Sequence, residues 1–148
     1  MNDEKHIAEN IETCQTAFPN SLSEGDLATV ADVAASYRRL VKVGCTGCAY
    51  CITCPSGVNI PMCFSQYNDS HICDSLMARG FFGMMLMGGM RTKADASLCI
   101  ACGKCEKACP QHIAIPSELK KVNSTLGGLR TKILLPLVRM MFSSELEE

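Results

Sequence analysis

Apolar side chains recur at intervals of three and four residues in the first third of the chain, which is the spacing of one face of an α-helix. They are Leu27, Val30, Ala34, Tyr37 and Val41. Ser21 with Glu24, or Ser23 with Asp26, matches the capping pattern that starts a helix, and Gly44 would stop it. Residues 1–20, before this helix, are expected to be irregular.

The segment 55–98 also has a helical pattern, and signals typical of strands are weak throughout it. Asn59 is suited to cap a helix over residues 61–68, because its side chain can accept a hydrogen bond from the first turn. Another helix is expected to start near residues 69–70 and to run towards Phe82. Two glycines beyond it would break the pattern.

Two more helices are expected in the C-terminal part. Ser117 lies in the first, with Pro116 near its start, and paired glycines end it at Gly127. The second carries an apolar stripe, flanked by basic residues, made of Leu129, Ile133, Leu134, Leu137, Val138 and Met141. Pro136 should kink or shorten this helix. We expect its stripe to pack against the domain itself or a partner, and a membrane surface is the less favoured alternative.

Charge and composition narrow the function classes. The chain has 148 residues, with 14 Lys plus Arg against 15 Asp plus Glu, so its formal charge of −1 gives no reason to expect a nucleic-acid partner. The N-terminus is charged and has no apolar signal segment, and the longest apolar run, 80–90, is too short to span a bilayer. Eleven cysteines, an odd number, fit poorly with complete disulfide pairing. We therefore expect a reduced protein of the cytoplasm.

Eight of the eleven cysteines lie in two short runs. The first, Cys45 to Pro55, reads C-T-G-C-A-Y-C-I-T-C-P, and the second, Cys99 to Pro110, reads C-I-A-C-G-K-C-E-K-A-C-P. A C-x2-C-x2-C-x3-C-P run binds iron–sulfur clusters, and its fourth cysteine usually ligates the other cluster of a pair. The two runs therefore predict two 4Fe-4S clusters in one chain.

This crossing rule assigns four ligands to each cluster. One set is Cys45, Cys48, Cys51 and Cys109, and the other is Cys99, Cys102, Cys105 and Cys54. Pro55 and Pro110 restrict the residue before them, which helps to turn the crossing cysteine away from its own run. Gly47 and Gly103 are expected to remove side chains where the backbone approaches sulfide. Two structural zinc sites of four cysteines each remain an alternative, although zinc sites usually separate their C-x2-C pairs by a dozen or more residues.

The other candidate residues have simpler interpretations. Cys14, Cys63 and Cys73 lack ligand spacing and are expected to be small buried apolar residues. We expect His112 to lie on the surface, and the methionine-rich stretch 84–90 to contribute to the core or to a partner contact. Solvated charges are the expected state of the two lysines of the second run, Lys104 and Lys107, with a docking surface as the alternative.

These patterns together predict an all-α protein, an α-helical ferredoxin-like domain built around two 4Fe-4S clusters. The predicted organisation has three parts. They are an irregular N-terminal linker at 1–20, the cluster domain at 21–126, and a C-terminal amphipathic helix and tail at 127–148.

The two runs with their flanks, residues 43–61 and 94–113, resemble the ferredoxin-like tail of iron–sulfur aldo/keto reductases, and residues 19–24 resemble the linker that follows the barrel in that family. The likeness extends over about residues 10 to 142. It implies a helical ferredoxin fold with two 4Fe-4S clusters, which in such proteins follows a (β/α)8 barrel that binds a nicotinamide cofactor and reduces carbonyls. No position here matches the catalytic tyrosine, lysine, aspartate and histidine of that barrel.

The expected function is that of an electron-transfer module that passes electrons to or from an aldo/keto reductase-like barrel or another redox protein. A free-standing ferredoxin carrier is the alternative, followed by the zinc protein. No complete catalytic site is present in these 148 residues, so whether the chain forms part of an enzyme stays open.

Overall fold

The structure is a computed structural model that describes residues 3–73, 75–89, 92–129, 131–133 and 135–136. Within these residues all regular structure is helical, which confirms the predicted all-α class. The helices are α1 (Glu4–Thr16), α2 (Glu24–Leu40), α3 (Ile60–Ile72), α4 (Ser75–Met85), a 3-10 turn (Ala96–Leu98), α5 (Lys104–Lys107) and α6 (Ile115–Leu126). The chain forms two compact units, Met1–Tyr37 and Arg38–Glu148.

The first unit corrects the prediction of an irregular N-terminus, because α1 occupies most of that segment. The side chain of Asp3 caps the helix by accepting a hydrogen bond from the backbone N–H of Lys5 at 2.9 Å. Ile7, Ile11 and Cys14 lie on one face at helical spacing. This stripe is short and surrounded by polar residues, so it is a weak signal for a helix in the sequence.

The start of α2 confirms the predicted cap at Ser23. Its hydroxyl accepts a hydrogen bond from the backbone N–H of Asp26 at 3.2 Å, and the Asp26 carboxylate accepts one from the backbone N–H of Ser23 at 3.1 Å. This reciprocal pair lowers the pKa of Asp26, chiefly through its hydrogen bonds with Ser23. Most of the apolar face predicted for this helix is solvent-exposed, with Val30 59% exposed, whereas Ala34 is partly buried.

The second unit is organised by α3, whose N-cap is Asn59 as predicted. The Asn59 side chain accepts a hydrogen bond from the backbone N–H of Met62 at 3.2 Å. The helix continues to Ile72, so the prediction of a helix over 61–68 and a new one starting near 69–70 is wrong. Asp69 does not cap a new helix, because its carboxylate instead accepts hydrogen bonds from side chains earlier in α3.

The core of this unit lies among α3, α4 and α6. Its fully buried side chains include Phe64, Phe82, Ile60, Leu86, Ile115, Leu119, Leu126, Val58, Val122 and Cys63. Leu86 and Met87 are buried, so the described part of the methionine-rich stretch contributes to the core as predicted. The helix α6 buries one face and ends before Gly127, close to the predicted bounds.

The predicted last helix is described only in part. Residues 129, 131–133 and 135–136 are helical. The remainder of the stripe, and with it the predicted effect of Pro136, lies outside the described residues.

Candidate metal centre

The first cysteine run and the fourth cysteine of the second run meet at one cavity. Cys45, Cys48 and Cys51 line it together with Cys109, which is separated from them by more than half of the second unit in sequence. Ile60 and Phe64 at the start of α3 and Ile115 at the start of α6 complete its apolar wall. The structure therefore brings together the four cysteines that the crossing rule assigned to one cluster.

Cys51 is the most enclosed of these four thiols, at 9% exposure. Burial raises the pKa of Cys51, and negative charge on Cys45, Cys48 and Cys109 raises it further. Four thiolates that line one cavity repel one another unless a cation compensates their charge. A cavity with this donor set suits a cationic iron core, because iron–sulfur clusters are held by thiolates.

The second run shows the same clustering among its first three cysteines. Burial raises the pKa of Cys105, and negative charge on Cys99 and Cys102 raises it further. Cys54 is half-buried and packs against the same core as Cys99 and Cys105. Its assignment to the second cluster stays a prediction.

Both runs curl through the same rare backbone conformation on either side of their second cysteine. The φ angles are +69° at Gly47 and +64° at Ala49 around Cys48, and +55° at Ala101 and +72° at Gly103 around Cys102. A left-handed alanine costs about 1–2 kcal/mol, so the surrounding structure must enforce it. Alternating backbone of this kind forms a concave nest of N–H groups that binds anions, including iron–sulfur clusters.

One such N–H already points at sulfur, since the backbone N–H of Ala101 donates to Sγ of Cys99 at 3.4 Å. The glycines had been expected to make room for sulfide. A Cβ added at Gly47 would meet no protein atom within 4 Å, and at Gly103 only a carboxylate oxygen of Glu106 at 3.8 Å. The conformation itself therefore explains these two glycines within the protein.

The turn after each fourth cysteine is also repeated. The carbonyl oxygen of Cys54 accepts a hydrogen bond from the N–H of Gly57 at 3.0 Å, and that of Cys109 accepts one from His112 at 3.1 Å. Gly57 and His112 both have positive φ, at +71° and +52°. The proline after the cysteine occupies the second position of the turn in each case, where its fixed φ fits. The extra residue in the second run coincides with the short helix α5.

Asn68 anchors the chain where it enters the first run, and sequence reasoning missed it. Its side-chain oxygen accepts hydrogen bonds from the N–H of Lys42 at 2.9 Å and of Val43 at 3.0 Å, and its amide donates to the carbonyl of Val43 at 2.8 Å. Val43 is buried two residues before Cys45. No local signal reveals this role, because the bridged residues are about 25 positions apart in sequence.

We expect Asn68→Ala to lower the free energy of unfolding by about 1–3 kcal/mol, because the backbone N–H groups of Lys42 and Val43 lose their acceptor. Asn68→Asp keeps the acceptor for both N–H groups but sets a carboxylate oxygen against the carbonyl oxygen of Val43, so it should be destabilising as well. Chemical denaturation monitored by circular dichroism measures both. Equal stability of Asn68→Ala and the unmodified protein would contradict this role.

The remaining candidates divide between core and surface. Cys63 is fully buried as predicted, and burial raises the pKa of its thiol to about 12, so it is neutral at physiological pH. Cys14 and Cys73 are exposed, so the prediction of burial is wrong for them. Cys14 lies on α1, a helix with no buried residue. Cys73 lies at the C-terminal end of α3, where its side chain is exposed to solvent. His112 is exposed as predicted, and so are the two lysines of the second run.

The described residues contain neither a compact site for a single metal ion nor a membrane-spanning helix. In that part of the chain, no three His, Cys, Asp or Glu side chains lie close enough to hold a single metal ion. The fit to a cube does not depend on that spacing, because each iron of a cube takes only one of the four sulfurs. Nor do the same residues include a helix with the length and apolar character needed to cross a bilayer.

Comparison with protein families agrees with this geometry. Residues 44–115 match the family model of the 4Fe-4S dicluster domain, which begins just before Cys45 and ends with Ile115. The match covers just under half of the chain and supports a ferredoxin-type iron–sulfur domain, and with it electron transfer, over that segment. Comparisons with curated proteins and with solved structures gave no significant match.

Proposed function

We propose that this protein is an electron-transfer module that carries two 4Fe-4S clusters. One cluster is held by Cys45, Cys48, Cys51 and Cys109, and the other by Cys99, Cys102, Cys105 and Cys54. The observation that carries the proposal is the cavity where Cys109 joins the first three cysteines of the other run. Crossed ligation of this kind is how two-cluster ferredoxins hold their cofactors.

The residues of this chain supply position, burial and hydrogen bonds, while the clusters when bound accept and donate single electrons. Phe64 and Ile60 exclude water from one side of the first site. Backbone N–H groups in the two nests offer donors to cluster sulfurs, and such donors tune reduction potentials. None of the eleven cysteines is paired in a disulfide, and a reducing compartment such as the cytoplasm suits cysteines that are to ligate iron.

We further propose that the redox partner is an aldo/keto reductase-like barrel. The resemblance of residues 19–24 and of both cysteine runs to iron–sulfur aldo/keto reductases supports this partner. The first unit also carries exposed apolar side chains on α1 and α2, among them Ile11, Val30 and Val33, which a protein partner would cover. The alternative is a free-standing ferredoxin carrier that binds several enzymes transiently and passes electrons between them.

Anaerobic purification followed by iron, sulfide and zinc analysis tests the cofactor. We expect about eight irons and eight sulfides per chain, together with the electron paramagnetic resonance signals of reduced 4Fe-4S clusters. Zinc at about two ions per chain without sulfide would refute the electron-transfer proposal in favour of the structural zinc protein.

A second experiment tests the partner. The immobilised holoprotein is mixed with a purified aldo/keto reductase-like barrel protein, and binding and electron transfer between them are measured. Retention of the barrel with oxidation of the reduced clusters supports the proposal. If the barrel is not retained, while several unrelated reductases accept electrons, the carrier is the correct description.

A further inference from the structure

The backbone at Ala94 joins three segments of the second unit just before the second cysteine run. Its N–H donates to the carbonyl of Leu86 at 2.8 Å, and its carbonyl accepts from the N–H of Asn59 at 2.9 Å. The Cys63 thiol lies 4.0 Å from the same carbonyl. Asn59 lies four residues after Pro55, the end of the first cysteine run, and caps α3. The hydrogen bond between Ala94 and Asn59 therefore connects the segment that precedes the second run with the segment that follows the first.

Asp95, the next residue, is fully buried although it is a carboxylate. One oxygen accepts a hydrogen bond from the N–H of Ser97 at 2.7 Å and so caps the 3-10 turn that leads to Cys99. The other oxygen is buried and has no hydrogen-bond partner among the described residues. Lys93 lies 3.7 Å from that oxygen, which is within ion-pair range but too long for a hydrogen bond, and its side chain is half exposed.

A buried carboxylate is costly unless its charge has a use or a full set of partners. Here the cap alone does not require a charge, because a neutral amide oxygen would accept the same hydrogen bond from Ser97. The neighbouring Cys63 is a neutral thiol and adds no compensating charge. The carboxylate of Asp95 thus lies one short turn before Cys99 in the chain, and among the described residues the cation within ion-pair range of it is Lys93.

We propose that Asp95 is a positioning residue of the second cysteine run, and that its buried charge, balanced by Lys93, lowers the reduction potential of the cluster held by that run. The inference rests on the proposed function for the cluster and on the described geometry for the positioning. A fixed negative charge near a cluster disfavours the added electron, because the reduced cluster carries one more negative charge. A cation beside that carboxylate, here Lys93, offsets its charge and so raises the reduction potential of the cluster.

The test compares three variants of the full-length holoprotein by redox titration. Asp95→Asn keeps the acceptor for Ser97 and removes the charge, so we expect the potential of one cluster to rise and that of the other to stay unchanged. Lys93→Met removes the opposing cation, so the same cluster should shift to a lower potential. Asp69→Asn is the matched control, because it makes the same charge change at a half-buried position on α3, and it should shift neither cluster.

Opposite shifts of a single cluster in the first two variants would establish the charge effect. No shift in either, or an equal shift in the control, would overturn it. If Asp95→Asn does not fold, Lys93→Met still tests the charge effect through the predicted lower potential, since it changes a half-exposed side chain and should fold.

Amide hydrogen exchange provides a readout that does not depend on a loaded cluster. Asp95→Ala should raise the exchange rate at Ser97 and Cys99 at least tenfold relative to Asp69→Ala, because it removes the cap. Unchanged exchange at these amides would refute the positioning role. An unmodified protein that contains no iron would refute the proposed function and the charge effect, while the exchange result would still decide the positioning role.

Discussion

Replacing Cys109 with serine is expected to lower the iron content from about eight to about four atoms per chain, and the cluster that is lost should be the one in the first run. Cys109 is the only residue of the second run's cysteine set that lines the cavity of Cys45, Cys48 and Cys51. Serine is a harder and weaker ligand for iron than thiolate. One iron of that cube would therefore lose its protein ligand, although three cysteines stay in place.

Double variants identify which cluster is lost. Cys45→Ser added to Cys109→Ser should cause little further loss, because both changes affect the same cube. Cys99→Ser added to Cys109→Ser should remove nearly all iron. Cys73→Ser is the matched control, since Cys73 is exposed and lies outside both runs, and it should keep the full iron content. The opposite pattern in the double variants would show that each run keeps its own cluster.

Phe64→Ala should lower the free energy of unfolding of the second unit by about 3–5 kcal/mol. Phe64 is 0% exposed, packs in the core on α3, and forms part of the wall of the first cysteine cavity. Its removal leaves a void beside the cluster and opens the cavity to water. We therefore also expect faster loss of iron to a chelator, measured by the decay of visible absorption.

The control for this prediction is Phe81→Ala. Phe81 belongs to α4 in the same unit but is 42% exposed, so its truncation should cost less than about 1 kcal/mol. Thermal and chemical unfolding followed by circular dichroism compare the two variants. If both phenylalanines cost the same, Phe64 does not have the structural importance assigned to it here.

The helices that could be predicted from the sequence are those with local start and stop signals. The Ser23 and Asp26 capping pair and the Asn59 cap were recognised because such hydrogen bonds join residues three apart or fewer. The break between α3 and α4 was misplaced for a related reason. Asp69 can cap a new helix or accept hydrogen bonds from the turn before it, and only packing decides between these.

The left-handed backbone of the two cysteine runs could be predicted only in part. Glycine at Gly47 and Gly103 is a signal for positive φ, whereas alanine at Ala49 and Ala101 is not. The structure imposes the same conformation on all four residues. Residue type alone does not predict positive φ at the two alanines, because the surrounding fold compensates the backbone strain there.

By itself, the sequence determined the helical class and the chemistry of the cysteine runs, because periodicity and ligand spacing are local properties of the chain. The crossed assignment of eight ligands also follows from that spacing and stays a prediction. Only the tertiary structure decided that Cys109 shares a cavity with Cys45, that Asn68 holds the entry to the first run, and that Asp95 is buried beside the second. The first two features bring together residues distant in sequence, and the burial of Asp95 depends on how the helices pack around it rather than on any local pattern.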